Sequence, residues 1–155
     1  MTAFKKFDLR YIIPPVLVII AGLVRNASSG FPLFLMLPVT VCIALYSGVY
    51  MSLFCGILAG VFIDSVSALH DGIFTLILAV TAVLVYYLSE NILRKKLSTA
   101  LLLSGSGLVL YSLGMAIISS GGFVGIFLRM LIYSAISFAF TPLFYLIIKA
   151  GDKRA

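Results

Sequence analysis

The chain has 155 residues, of which 63% are hydrophobic and only 10% are charged, and its mean hydropathy is +1.22. Soluble domains are about 45–50% apolar and about 25% charged, so most of this protein's surface must face lipid rather than water. The composition therefore excludes a disordered chain, a nucleic-acid-binding module and a secreted disulfide scaffold, and the formal net charge of +6 is better explained by membrane orientation than by a polyanionic partner.

Long stretches without charge define the predicted membrane spans. Asp, Glu, Lys and Arg are missing from residues 26–63, 72–89, 97–128 and 130–148. A helix needs about 20 apolar residues to cross the hydrocarbon, so the first stretch accommodates two crossings, with a break at Tyr46, Ser47 and Gly48. The sequence thus predicts an all-α polytopic membrane protein, a single domain over residues 1–155. Its six transmembrane helices, packed in one bundle, are predicted at residues 7–24, 31–46, 49–68, 72–88, 97–118 and 123–148.

The first predicted helix is the least regular of the six. Only 14 uncharged residues separate Arg10 from Arg25, so the helix reaches the length of a span if Arg10 snorkels to the membrane surface. Pro14 and Pro15 are expected to kink this helix or to mark its first turn. A cleaved signal peptide is the alternative, but no convincing small-x-small cleavage site follows the apolar run.

The third predicted helix carries a stripe of small residues, each four positions after the last: Gly48, Ser52, Gly56 and Gly60. Small residues at this spacing let another helix approach closely, and in lipid such packing takes the place of the hydrophobic effect between helices. The approaching helix can belong to the same bundle or to a partner protein. We take the four residues as a candidate site for packing a partner's helix, with packing inside the bundle as the alternative.

Asp64 follows this stripe and lies close to the predicted outer edge of the hydrocarbon. An acidic residue at this depth is a candidate for function, but it can also end the helix and cap the loop that follows. With Asp71 and Arg129 it forms a candidate polar cluster on the outer face, in which Asp64 would pair with Arg129 or Arg25. Arg129 can instead snorkel to the membrane surface or bind a lipid phosphate.

No motif for metal binding or catalysis accompanies these charges. His70 lies beside Asp71, but its spacing from Asp64 matches no metal motif, and the chain has no nucleophile elbow, phosphate loop or zinc-protease helix. Cys42 and Cys55 lie in apolar helices, where cysteine behaves as a small hydrophobic residue. We therefore predict a protein that is not an enzyme and that holds no metal and no cofactor.

The basic residues predict the orientation of the bundle. Six crossings place both termini on one side of the membrane, together with the loop 89–96, and nine of the 11 basic residues fall on that side. Arg25 and Arg129 remain on the other side. Because the cytoplasmic loops of membrane proteins are enriched in Lys and Arg, both termini are predicted to be cytoplasmic. The basic loop can also contact anionic lipid headgroups.

The pattern in the second and third helices resembles that of the bacterial rod-shape-determining membrane protein family MreD. The resemblance is carried by the run from Gly56 to Asp64 with the Ser67 and Gly72 that follow, and by Leu37 and Pro38 leading into Ala44, Leu45 and Tyr46. The short chain, the six spans and the small loops resemble the same family. One position departs from it, since Val39 and Thr40 stand where the family often has Asp or Asn.

The resemblance implies a non-enzymatic scaffold of the cell-elongation machinery, which supports lateral peptidoglycan synthesis in the bacterial cytoplasmic membrane. Its implied partners are a single-span MreC-like protein, the MreB filament, a RodA-type synthase complex and membrane lipids, with no nucleic acid. The implied fold is similar to that of the substrate-binding S-components of energy-coupling vitamin transporters.

Two other functions remain open at this point. One is an S-component-like subunit of a vitamin transporter, although the first helix lacks the Ala-x-x-x-Ala surface with which such subunits dock. The other is a lipid-linked enzyme that would use Asp64, His70 and Asp71 around a metal, with Arg129 on a phosphate group.

Overall fold

The structure of the protein, a computed structural model, describes residues 9–27, 35–65, 72–91, 96–118 and 123–153. These residues are helical apart from short turns, and no strand occurs among them, so the all-α prediction is confirmed. The helices are α1 (Leu9–Ala27), α2 (Met36–Tyr46), α3 (Val49–Asp64), α4 (Ile73–Asn91), α5 (Leu97–Ile118), α6 (Phe123–Ala139) and α7 (Thr141–Lys153).

Helices α6 and α7 are two parts of the last predicted helix. The sequence predicts one helix over 123–148, whereas the structure divides it at Phe140. Pro142 has no N–H to donate to the carbonyl of Phe138 one turn earlier, and at the break the N–H of Phe140 donates three residues back, to the carbonyl of Ser137 (3.2 Å). The described residues thus form six helices, the last of which is broken.

The remaining helix ends lie close to the predicted ones. α5 has the predicted bounds, α4 runs to Asn91 instead of residue 88, and α3 ends at Asp64 instead of residue 68. The predicted ends at residues 7–8, 31–34 and 66–68 lie outside the described residues. Turn-forming residues and charges therefore mark the ends of most of these helices to within a few positions.

The two prolines of α1 lie inside the helix. α1 begins at Leu9, so Pro14 and Pro15 lie in its second turn rather than in the first. Neither proline has an N–H, so the carbonyls of Arg10 and Tyr11 lack the donors that an uninterrupted helix would supply.

Helix α2 lies at the centre of the bundle. The ten consecutive residues from Met36 to Leu45 are all buried, and α2 contacts α1, α3, α4, α5 and α7. A helix that is apolar on every side has no face to present to water, which suits this central position. Pro38 is accommodated because it lies in the first turn, where its missing N–H would have no acceptor within the helix.

The start of α1 and the end of α7 meet at one end of the bundle, which we call the terminal end. A methyl group on Gly151 would lie 2.6 Å from the Cδ1 atom of Ile13. The ring of Tyr46, the last residue of α2, packs edge-on against Tyr145 of α7, with 5.5 Å between the ring centroids. Lys149 Nζ lies 5.4 Å from the centre of the Tyr145 ring. Both ends of the helical part of the chain therefore lie on the same side of the bundle.

The opposite end, the distal end, gathers the last two turns of α1, the first turn of α2 and the last turn of α3. A methyl group on Gly22 would lie 2.9 Å from Met36 Cε and 3.1 Å from Phe62 Cδ1. The end of one helix thus lies beside the start of the next. α1, α2 and α3 consequently alternate in direction across the bundle.

Two helices in the described part of the chain are long and apolar enough to cross a membrane. They are Ile73–Asn91, with 19 residues, and Leu131–Gly151, with 21 residues, which includes the break at Phe140. Both present large apolar side chains to the outside, including Leu76 (65% exposed) and Leu146 (61% exposed). Large apolar patches on an outer surface mark contact with a membrane or a partner protein, so these helices support membrane association.

Candidate functional site

The small-residue stripe of α3 lies against α4 of the same chain. A methyl group on Gly60 would lie 2.7 Å from the backbone nitrogen of Thr75, and one on Gly56 would lie 2.9 Å from the carbonyl oxygen of Leu78. The absence of a side chain at both positions lets the two helix backbones come close together. The alternative of packing inside the bundle thus holds at Gly56 and Gly60, and the expectation of an open surface for a partner's helix is corrected there.

The first half of the stripe is arranged differently. Ser52 is buried, and its hydroxyl donates to the carbonyl oxygen of Gly48 one turn earlier (3.0 Å). Gly48 is exposed at the start of α3, and a methyl group there would have no heavy atom within 4 Å. Among the four candidate residues, the one with open space beside it is therefore Gly48, at the terminal end.

Asp64 joins the end of α3 to the start of α4. Its carboxylate accepts hydrogen bonds from the backbone N–H groups of Phe74 (3.2 Å) and Thr75 (3.0 Å), and also from the hydroxyl of Thr75. The first N–H groups of a helix have no partners within it, and a negative charge near them is stabilised by the helix dipole. Asp64 thus performs for α4 the task that a side chain just before a helix usually performs.

The local sequence explains why this cap comes from another helix. Gly72 directly precedes α4 and has a φ of +87°, a backbone conformation that favours glycine. Its carbonyl accepts from the N–H of Leu76 (3.1 Å), but a glycine offers no side chain to cap the N–H groups that follow. The carboxylate of Asp64 supplies that acceptor. The sequence indicated a cap by Asp64, but for the loop after α3 rather than for α4, and it did not indicate Thr75.

The other members of the predicted outer cluster are less fully described. Asp71 and His70 lie outside the described residues, and for Arg129, which lies in α6, the structure describes the backbone alone. Arg25 is half-buried in the last turn of α1. The structure therefore places Asp64 at the distal end, and its pairing with Arg25 or Arg129 stays a prediction.

The described residues contain no group of three His, Cys, Asp or Glu side chains that could hold a metal ion. Cys42 and Cys55 are both buried and free, and the Cys42 thiol lies 3.8 Å from the carbonyl oxygen of Thr141. This contact joins the central helix α2 to the start of α7.

Two buried hydroxyl groups in the core were not predicted as features of interest. The side-chain oxygens of Ser104 in α5 and Thr141 in α7 are buried without a hydrogen-bond partner. Thr141 lies next to the break in the last helix, in the sequence Phe-Thr-Pro, and this turn-like signal inside an apolar run could have drawn attention to it. Both groups lie in helices that contact α2.

A comparison of the chain with protein-family models, with curated proteins and with solved structures finds no match.

Proposed function

We propose that the chain is a non-enzymatic, multi-pass scaffold of the bacterial cytoplasmic membrane. The observation that carries the proposal is the distribution of apolar residues, because α2 is buried on every side while the helices around it present large apolar side chains outward. A bundle with an apolar core and an apolar exterior suits a lipid environment. Such a bundle has little mass outside the membrane, and its natural partners are other membrane helices and lipids.

The proposed topology has six crossings, with both termini in the cytoplasm. It is supported by the contact between Ile13 and Gly151, which brings the start of α1 and the end of α7 to the same end of the bundle. It is also supported by the distribution of basic residues, nine of which fall on the side of the termini in this topology.

The proposed biological role is in rod-shape maintenance and lateral peptidoglycan synthesis, by analogy with the MreD family. The proposed direct partner is a single-span MreC-like protein, with the MreB filament and a RodA-type synthase complex as further members of the assembly. Gly56 and Gly60 are covered by α4, so we propose that the partner's helix binds the outward, lipid-facing surface of the peripheral helices.

Depletion of the protein in its native bacterium tests this role. We expect rod-shaped cells to become round, with wall synthesis no longer confined to the side wall, and we expect the tagged protein to co-purify with a single-span membrane protein. Unchanged cell shape after complete depletion would contradict the scaffold proposal. A requirement for an added vitamin would instead favour the transporter-subunit alternative, which a thermal-shift screen against vitamins would then test, because a tight ligand raises the melting temperature.

A further inference from the structure

Helices α5 and α6 extend farther than α3 toward the distal side of the bundle. The distance is measured from a common depth, which we call the shared level. Gly22, Met36 and Phe62 lie together at this level, and α5 joins it through Gly107, where a methyl group would lie 2.9 Å from Leu37 Cδ2. α3 ends two residues after Phe62, whereas α5 continues for eleven residues after Gly107. At about 1.5 Å per residue, α3 reaches about 3 Å beyond the shared level and α5 reaches about 16 Å.

Helix α6 follows α5 over this distance. A methyl group on Gly105 of α5 would lie 3.3 Å from the ring of Phe138, so this residue of α6 lies close to the shared level. α6 begins fifteen residues earlier, at Phe123, and it packs against α5. Together α5 and α6 form an arm that projects about 13 Å farther than the end of α3. We call these two helices the α5–α6 arm.

The arm is apolar apart from one charged residue, Arg129 of α6, whose long side chain can snorkel to the membrane surface. No charged residue occurs between residues 97 and 128, and described side chains near and beyond the shared level are exposed, including Val109 (47%), Val124 (67%) and Leu128 (55%). α5 has 22 residues, which is about 33 Å as a helix and matches the thickness of the hydrocarbon, about 30 Å. Lipid acyl chains therefore fit the arm in both chemistry and length.

The end of α3 has the opposite character. α3 has 16 residues, about 24 Å as a helix, and it ends in the half-buried carboxylate of Asp64 and the exposed Ser65. A flat bilayer that covered the whole arm would bury this polar turn in hydrocarbon. Thinning a bilayer costs a fraction of a kcal/mol per ångström, whereas each polar group buried in hydrocarbon without water costs several kcal/mol.

We propose that the outer leaflet of the membrane is stepped around this protein. Lipid acyl chains cover the α5–α6 arm to the full depth of the bilayer, and the leaflet is locally thinned beside α3, so that water reaches the turn at Ser65. The arm thus contacts lipid, and the membrane is thicker on the side of the arm than on the side of α3. This inference rests on the proposed membrane placement.

Two pairs of matched positions test the step by site-directed spin labelling. Ser65 follows α3 three residues beyond the shared level, and Val109 lies two residues beyond it on α5. The two positions therefore have nearly the same depth. Ile57 and Leu102 each lie five residues before that level, on the same two helices, and both are exposed. Each residue is replaced singly by cysteine, labelled with a nitroxide and placed in phosphatidylcholine vesicles, with the wild-type chain as the control for labelling of its buried cysteines.

The readout is the collision rate of each nitroxide with oxygen, which enters lipid, and with a water-soluble nickel chelate. We expect the labels at Ile57, Leu102 and Val109 to favour oxygen, and the label at Ser65 to favour the chelate, with roughly tenfold greater chelate access than at Val109 because a polar chelate is excluded from hydrocarbon. If Ser65 and Val109 both favoured oxygen, the leaflet would not be thinned and the inference would be wrong.

Three other outcomes separate the remaining possibilities. Chelate access at both Ser65 and Val109 would show that the arm stands in water, which also overturns the step. Access of neither reagent to Val109 would show a second protein copy on the arm in place of lipid. Chelate access at Ile57 and Leu102 would contradict the membrane placement itself rather than the step alone.

Discussion

Asp64 serves two helices at once, because it ends α3 and accepts three hydrogen bonds from the first turn of α4. The hydrogen bonds go to a single carboxylate from two backbone groups and one hydroxyl. This arrangement gives Asp64 a structural role that does not depend on a metal, a substrate or a partner protein.

Replacement of Asp64 by alanine is expected to destabilise the protein by about 1.5–3 kcal/mol, because the N–H groups of Phe74 and Thr75 lose a charged acceptor. Asp64→Asn retains one oxygen acceptor and should cost less. Unfolding in a detergent titration monitored by circular dichroism measures both variants.

The control for this prediction is Thr75→Val, which removes the hydroxyl and keeps the shape of the side chain. Alone it should cost about 1 kcal/mol, and it should cost almost nothing further in the Asp64→Ala background, because the bond is already lost. Full additivity of the two substitutions would contradict the hydrogen bond between these side chains.

The buried hydroxyls of Ser104 and Thr141 give a prediction of the opposite sign. Neither side-chain oxygen has a hydrogen-bond partner, so Ser104→Ala and Thr141→Val each remove a desolvated polar group with little change in shape. Both variants should be as stable as the wild type, or more stable by up to about 1 kcal/mol. Thr40→Val is the contrast, since the Thr40 hydroxyl donates to the carbonyl oxygen of Leu37 (2.9 Å). A clear loss of stability in Thr141→Val would indicate a bound water or another partner at the break.

At the scale of helices, small residues let the backbones of α3 and α4 pack closely against each other at Gly56 and Gly60. A side chain at Gly60 would meet the backbone of α4 at Thr75, and a backbone cannot move aside as a side chain can. The pair of helices is therefore held together by the shape of both backbones as well as by the cap of Asp64.

Gly60→Ala is accordingly expected to destabilise the bundle by about 1–3 kcal/mol, or to prevent its folding, because α3 and α4 must separate to admit the new methyl group. Gly48→Ala is the matched control on the same helix, since open space surrounds that position and its φ of −67° suits alanine. Gly48 is also the N-cap of α3, where glycine is favoured over alanine, so this replacement should cost about 0.5–1 kcal/mol. Equal stability of the two variants, measured by thermal unfolding in detergent, would show that α3 and α4 do not pack at Gly60.

Sequence patterns predicted the number of helices and most of their ends, because charges and turn residues interrupt the apolar runs. They did not predict the break at Phe140, since the run from residue 130 to residue 148 has no charge to mark a helix end, and a transmembrane helix can accommodate a single proline such as Pro142. They also could not assign the helix that covers Gly56 and Gly60. A small-residue stripe requires a close neighbour, but its identity is decided by contacts between distant parts of the chain.

The same limitation applies to α2. Several predicted helices are apolar all round, and in a membrane protein an apolar face suits lipid as well as it suits the core. Hydropathy therefore does not distinguish the central helix from the peripheral ones. The position of α2 depends on its neighbours α4, α5 and α7, which are far away in the sequence.

At the scale of the whole molecule, the two ends of the bundle should lie on opposite sides of the membrane. Gly48 is exposed at the terminal end and Ser65 at the distal end. In intact cells, a membrane-impermeant maleimide should label Ser65→Cys, whereas Gly48→Cys should react after the cells are permeabilised, because the excess of basic residues assigns the terminal end to the cytoplasm. Labelling of Gly48→Cys alone in intact cells would reverse the orientation, and equal labelling of both would contradict the multi-pass topology.

The central position of α2 also affects how the protein is made. α2 is complete once Tyr46 has been synthesised, but α7, which contacts it, begins about 95 residues later, at Thr141. At a synthesis rate of about 5–20 residues per second, this delay is about 5–20 s. During that time a helix that is buried on every side in the finished bundle is shielded in part by lipid or by the insertion machinery, because its set of neighbours is incomplete. A chain truncated before Thr141 would keep α2 in this unfinished state, and quality-control proteases of the membrane should remove such a chain faster than the full-length protein.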